Sequence, residues 1–149
     1  MNANVLCKLL EIGSIEYHQS IELRRAVLRK PLGLDFVQSD LLNEHDQFHF
    51  ALFCENKLLG ILLLKIMNDI DKSSLKMRQV AIDPNYQSKG LGTILVKFSE
   101  QWAIANGFRL IELNARNTAI EFYKNLAYQE VGSGFLEVNI PHIKMIKHL

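Results

Sequence analysis

Hydrophobic and polar positions follow two rhythms along this chain, and together they predict its elements. "VLCKLLEI" (residues 5–12) reads as a first strand. Behind Ser14, whose hydroxyl suits a helix N-cap, Ile15, Ile21, Leu23, Val27 and Leu28 recur at helical spacing. That helix should stop before Pro31, because the residue preceding a proline disfavours the helical basin. "KPLGLDF" then reads as a loop, and residues 39–44 as a short second helix. The apolar stretch "FHFALFCENKLLGILLLKIM" predicts strands over 48–55 and 58–67, with Asn56-Lys57 as a tight turn. "SSLKMRQVAID" (residues 73–83) is a third member of that meander. Leu91, Ile94, Leu95, Phe98, Trp102 and Ile104 form an apolar stripe, so residues 88–105 are helical and end at Asn106-Gly107. A strand over 108–115, a helix over 118–127 and two closing strands around Asn139-Ile140-Pro141 complete the chain.

This order describes an α+β fold. Strand–helix–strand units flank a glycine turn near residue 90, so a mixed sheet with parallel pairing near its middle is expected. A length of 149 residues fits one domain over 1–149, and 48% hydrophobic with 22% charged residues argues against disorder. A formal net charge of +1 calls for neither nucleic acid nor an anionic membrane. No apolar run reaches the roughly 18 residues of a membrane helix; residues 58–67 come nearest and are interrupted by Gly60 and Lys65. The opening "MNANVLCKLLEIG" lacks the apolar core and cleavage site of a secretory leader, which points to the cytoplasm. Cys7 and Cys54 are read as free thiols.

The stretch "YQSKGLGTIL" (residues 86–95) carries the most chemistry. The first amides of a helix lack partners within it, and with the helix dipole they form an anion site. Gly90 and Gly92 let a ligand approach the backbone closely, and Lys89 adds positive charge. The segment lacks G-x-x-x-x-G-K-[ST], and Leu95 breaks the dinucleotide fingerprint. Gln87-Ser88-Lys89-Gly90-Leu91-Gly92 does match [Q/R]-x-x-G-x-[G/A] at every fixed position. With "VAIDPNYQSKGLGTILV" around it and "TAIEFYKNLAYQEVG" after it, the chain resembles the GNAT superfamily of acyl-CoA N-acyltransferases, most specifically over residues 78–132.

The resemblance implies a central sheet of six to seven strands with helices on both faces, and fourth and fifth strands that splay around pantetheine. Here those strands would be residues 75–83 and 108–114. It implies acetyl-CoA as acyl donor, contacting Val80, Ala81 and Ile82 on the fourth strand and Gln87, Ser88, Lys89, Gly90, Leu91, Gly92 and Thr93 on the pyrophosphate loop. An amide at a bulge in the fourth strand would stabilise the developing oxyanion. Tyr123 matches the family tyrosine that protonates the departing thiolate, a role that suits a phenol with a pKa of about 10. Either Asn114 or Asn117 contacts the cofactor, because Arg116 stands at the family's asparagine position. Ala127 replaces a family glycine, so the turn into the sixth strand is expected to differ.

Glu137 and His142 are the candidates for the base and the acceptor site, although His142 would equally serve to anchor the Pro141 turn by hydrogen bonding. Arg24 and Arg25 on the first helix are candidates for binding the acceptor or for a solvated face. His45 and His49 share a metal-like spacing, but a strand there holds them too far apart for one ion, so no metal is expected. The implied activity is acetyl transfer to a primary amine, with a homodimer left open. The alternative is a non-catalytic acyl-CoA-binding sensor or interaction module.

Overall fold

The computed structural model describes residues 4–67 and 72–149; the start of the segment read for a leader, residues 1–3, lies outside them. The strands are β1 (Val5–Leu9), β2 (Phe48–Cys54), β3 (Lys57–Ile66), β4 (Ser74–Ile82), β5 (Leu110–Arg116), β6 (Gln129–Glu137) and β7 (Ile140–His148). They form one sheet in the order β1-β2-β3-β4-β5-β7-β6. Among the described residues only β4 and β5 pair in parallel; every other pairing is antiparallel. The helices are α1 (Ile15–Arg24), α2 (Gln38–Leu42), α3 (Leu91–Ala105) and α4 (Ile120–Asn125). No helix among the described residues is long and apolar enough to cross a membrane.

Side-chain alternation sorts the strands onto two faces. Ala51, Phe53, Ile61, Leu63 and Ala81 pack with Leu23, Val27 and Leu28, on the face that α1 covers. Phe50, Leu52, Leu62, Leu64, Leu75, Met77, Ile111 and Leu113 pack on the other face with Leu91, Leu95 and Val96 of α3 and Tyr123 of α4. Strands β2 and β3 are nearly all apolar because both of their faces are buried. Buried Glu100 on α3 accepts hydrogen bonds from Tyr128 Oη (2.9 Å) and Lys147 Nζ (3.0 Å), tying the helix to the far end of the sheet. Cys7 and Cys54 are half-buried thiols that are not in a disulfide, and burial pushes the Cys7 thiol up to about 11.

Several boundaries differ from the sequence reading, each for a backbone reason. Ser14 caps α1 as expected, accepting from the Tyr17 amide at 3.1 Å. The helical path continues past Arg24, however, through a π-helical turn (Arg25–Arg29) and a 3-10 turn (Lys30–Leu32) that contains Pro31. Proline is tolerated there because the opening positions of a turn need no amide donor. Glu55 and Asn56 both have positive φ (50° and 66°), so the β2–β3 turn lies one residue earlier than expected. Val138 and Asn139 (φ 46° and 62°) likewise make the β6–β7 turn. Pro141 and His142 therefore lie inside β7, which corrects the expectation that Pro141 forms the turn. Helix α3 begins at Leu91 rather than Ser88, because Ser88 and Gly90 are left-handed (φ 62° and 81°).

Helices α3 and α4 end in the same motif. After α3, Phe108 N donates to Ala103 O and Gly107 N to Ile104 O, with Gly107 at φ 86°. After α4, Tyr128 N donates to Tyr123 O (3.0 Å) and Ala127 N to Lys124 O (2.9 Å), with Ala127 at φ 73°. Ala127 thus occupies a glycine conformation, at a cost of about 1–2 kcal/mol for an L-residue. Glycine would remove that cost but loses about 0.4–1 kcal/mol through the freer unfolded chain. Ala127→Gly is therefore expected to stabilise the fold by roughly 0.5–1 kcal/mol in urea unfolding; a less stable variant would contradict this account of the α4 terminus.

Candidate functional site

The site begins where β4 and β5 part. Their parallel ladder holds for Ser74–Met77 against Leu110–Leu113 and then stops. Beyond it β4 stays with β3 while Asn114, Ala115 and Arg116 of β5 pair only with β7. Gln79 is bulged at φ 56°: Arg78 faces Leu63 and Ala81 faces Ile61, leaving two β4 residues opposite Leu62. Downstream, Asp83 N donates to Leu59 O (2.8 Å), toward β3. Strand alternation then turns the backbone groups of Val80 and Ile82 toward the side β5 has vacated, and those of Ala81 toward β3. The Ile82 carbonyl accepts from Gln87 Nε2 at 3.0 Å.

This divergence opens a cleft of about 340 Å³ through the sheet. Met77, Val80, Leu113, Ala115, Ala119 and Tyr123 line it from the α3–α4 side. Tyr123 is 7% exposed and packs edge-on against Phe122 and Tyr128. Burial pushes its phenol well above the usual tyrosine range, so the hydroxyl stays protonated. Arg78, Asn114, Arg116 and His142 alternate with the apolar positions or lie directly across from them, and so belong to the α1 face. The segment after α1 closes that side with Leu28, Arg29 and Leu32.

His142 is 4% exposed and stacks on Phe135 at 6.0 Å between centroids. Its Nδ1 donates to Ile140 O at 2.7 Å, which leaves Nε2 as the free nitrogen, 3.6 Å from Glu137 Oε2. Asn114 Nδ2 donates to the other Glu137 oxygen at 3.3 Å. An imidazole, a carboxylate and an amide thus meet at one end of the cleft, opposite a protonated phenol.

The glycine loop lies beyond this cleft, after Ile82. Pro84–Tyr86 form a 3-10 turn, and Gln87–Gly90 lead into α3. The first intrahelical bond runs from Ile94 N to Gly90 O (3.2 Å), so the amides of Leu91, Gly92 and Thr93 precede the ladder. Nothing lies within 4 Å of a Cβ built on Gly90, whereas one on Gly92 meets Phe122 Cζ at 3.2 Å. The glycine at 92 therefore makes room for a side chain, and the one at 90 permits the turn.

The structure brings Val80, Asn114, Tyr123, Glu137 and His142 together on one cleft, with Ala81, Ile82 and the residues Gln87–Thr93 following along β4 and the loop. Asn117 lies in a 3-10 turn after β5 and does not line the cleft. Neither do Arg24 and Arg25. Arg24 is fully buried, with Nη1 2.7 Å from Glu44 Oε1 and its guanidinium over Phe36; Arg25 pairs at the surface with Glu22 and Asp35. His49 is buried with Nε2 against Glu44 O (2.9 Å), and no metal-binding group of histidine, cysteine and acidic side chains occurs among the described residues. Sequence reasoning missed Arg29 and Gln79. Both line the cleft, each with a buried atom lacking a partner (Arg29 Nε, Gln79 Oε1). The only signal for Gln79 was its place in a strand expected to bulge.

Residues 14–128 match the family model described as Acetyltransferase (GNAT) family. The uncharacterized protein YyaT of Bacillus subtilis is 28% identical over 138 residues, covering 90% of each chain. The uncharacterized N-acetyltransferase YitI of the same organism is 24% identical over 148 residues, covering 95% of this chain and 97% of its own. Among solved structures, Escherichia coli ElaA superposes with a TM-score of 0.81 at 17% identity, covering 96% of this chain and 99% of its own. An aminoglycoside 6'-N-acetyltransferase complexed with coenzyme A gives 0.79 at 16% identity, covering 96% of both chains. A family match across most of the length, on a mixed sheet parted between β4 and β5, leads to one conclusion: the chain belongs to the GNAT acetyltransferase family and is a GNAT-type N-acetyltransferase.

Proposed function

We propose that this chain moves the acetyl group of acetyl-CoA to a primary amine by direct attack in a ternary complex. The observation that carries this reading is the cleft itself, with buried Tyr123 on one side and the His142–Glu137 pair on the other. A purely acyl-CoA-binding sensor would not require two proton-handling sites facing each other.

The residues suit the coenzyme. The vacated edge of β4 offers the Val80 and Ile82 backbone to an extended pantetheine-like arm. The amides at the start of the 15-residue helix α3, with Lys89 exposed beside them, suit a pyrophosphate. When bound, acetyl-CoA supplies a thioester whose carbonyl carbon accepts an amine and whose sulfur leaves. The Val80 amide, next to the Gln79 bulge, is oriented to donate to the carbonyl oxygen, a contribution of about 2.7–4 kcal/mol where such donors have been removed. His142 Nε2, which faces Glu137 Oε2 at 3.6 Å and whose ring is held by the Nδ1–Ile140 bond, accepts the proton the amine gives up. The Tyr123 hydroxyl donates to the departing sulfur from the opposite face. The direct test is release of free thiol from acetyl-CoA across a panel of amines; thiol release that no amine stimulates would remove the transferase reading.

Three variants check the parts. Tyr123→Phe removes one donor and little volume, so kcat is expected to fall about 100-fold, within the usual range for general acids, while coenzyme A affinity holds. Unchanged kcat with chemistry rate-limiting would exclude the phenol.

His142→Gln is expected to lower the rate per folded molecule at least about tenfold, and to cost about 1 kcal/mol of stability through the lost Ile140 bond. A stability loss with normal specific activity would leave His142 a purely structural anchor.

Gly90→Ala places a Cβ in open space at φ 81°, so its effect is backbone strain rather than a clash. If binding must restore that left-handed turn at about 1–2 kcal/mol, coenzyme A should bind roughly tenfold more weakly to a folded variant. Equal affinity by calorimetry would place the pyrophosphate elsewhere.

A further inference from the structure

Resting on the reading of this cleft as the acetyl-transfer site, we infer that the acceptor is a small amine that also carries an anionic group, bound by Arg29 together with Arg78 and Arg116. The cleft lining holds four permanent or near-permanent cations, Arg29, Lys76, Arg78 and Arg116, against one carboxylate, Glu137. None of the four is in an ion pair among the described residues. Glu137 does not offset them, because it is held by Asn114 and faces His142. In a chain whose formal net charge is +1, this is a local excess of positive charge at a concave site. Such a site concentrates anions and repels polycations.

Geometry narrows the assignment further. The π-helical turn Arg25–Arg29 carries the chain over the cleft and sets Leu28 and Arg29 at its rim. The Arg29 guanidinium lies over the Phe36 ring at 4.9 Å, which fixes its plane, yet its Nε is buried without a hydrogen-bond partner. A buried, oriented donor left unpaired is costly unless a ligand completes it. Arg78 is also held in place, with Nη1 donating to Gln47 Oε1 at 2.9 Å, which leaves the rest of its fork available. The donor's phosphates do not account for these charges: none of Gln87–Thr93, where the pyrophosphate is expected, lines the cleft. Arg78 and Arg116 lie on the same sheet face as His142, the group assigned to the acceptor amine, and opposite Tyr123. An acceptor with its amine at His142 and a carboxylate or phosphate at the arginines would span that face.

The test uses matched primary amines of equal chain length, one neutral, one ending in a carboxylate and one in a phosphate, with a linear polyamine as the opposite extreme. Each is titrated calorimetrically into the protein loaded with coenzyme A, and into the free protein, so that binding is read without turnover. The expected result is at least about tenfold tighter binding of a carboxylate- or phosphate-bearing amine than of its neutral match, the usual size of a charge-assisted contact. The two anionic arms separate the sources. Arg29→Gln should erase most of that preference while leaving coenzyme A affinity unchanged, and Arg29→Lys should retain part of it. Should Arg29→Gln not fold, the cluster is tested through Arg116→Gln. Equal binding of neutral and anionic amines, or tightest binding of the polyamine, would overturn the inference. Anion-selective binding without any acetyl transfer would instead uphold the anion site and sink the transferase reading.

Discussion

A strand in the middle of a sheet must satisfy its backbone on both edges, and at Gln79 β4 stops doing so. The bulge puts a non-glycine residue at φ 56°, a conformation that costs on the order of 1–3 kcal/mol and persists only where its surroundings enforce it. Four residue pairs hold β4 to β5 before this point, and none does after it. Backbone donors and acceptors left open inside a protein need partners. The fold therefore carries a gap in its hydrogen-bond ladder, and the remaining features of the site are arranged around it.

Because the vacancy runs through the sheet, the two faces can hold opposite chemical environments. On the α3–α4 side the lining is apolar, and desolvation keeps the Tyr123 phenol protonated. On the α1 side it is polar and cationic, with an imidazole whose tautomer is set by the Ile140 carbonyl. A hydroxyl that holds its proton and an imidazole nitrogen are thereby kept on opposite faces of the cleft. Strand alternation, more than any single loop, accomplishes this separation: neighbours such as Met77 and Arg78 serve opposite faces.

Much of this was legible in the residues. Ser14 before an apolar helical stripe, Asn106-Gly107 after one, and the Gln87–Gly92 pattern each have a local physical cause, and local causes survive folding. The α+β order and the parting of the fourth and fifth strands followed from the element order and the family resemblance. What escaped the sequence reading depended on partners distant along the chain. Arg24 reads as an acceptor-binding or surface charge, but Glu44 and Phe36 meet it in the interior. Arg29 stood in a helix expected to end near it, and only the π-helical turn carries it to the cleft. The turn before β7 was placed at Pro141 because proline is a strong breaker, yet the left-handed pair Val138-Asn139 makes it. Proline fits β7 there because Pro141 lies beyond the last β5 pair, Arg116 with His142, and needs no amide donor on that side.

The brevity of the β4–β5 ladder has a mechanical consequence. On one flank stand β1 to β4, on the other β5, β7 and β6, each an antiparallel group with longer internal pairings. The two leaves share a spine four residue pairs long, backed by a common apolar keel in which Leu75 and Met77 of one leaf meet Ile111 and Leu113 of the other. Such a joint bends more readily than either leaf. An occupant lying in the gap would touch both leaves at once and so resist that bending.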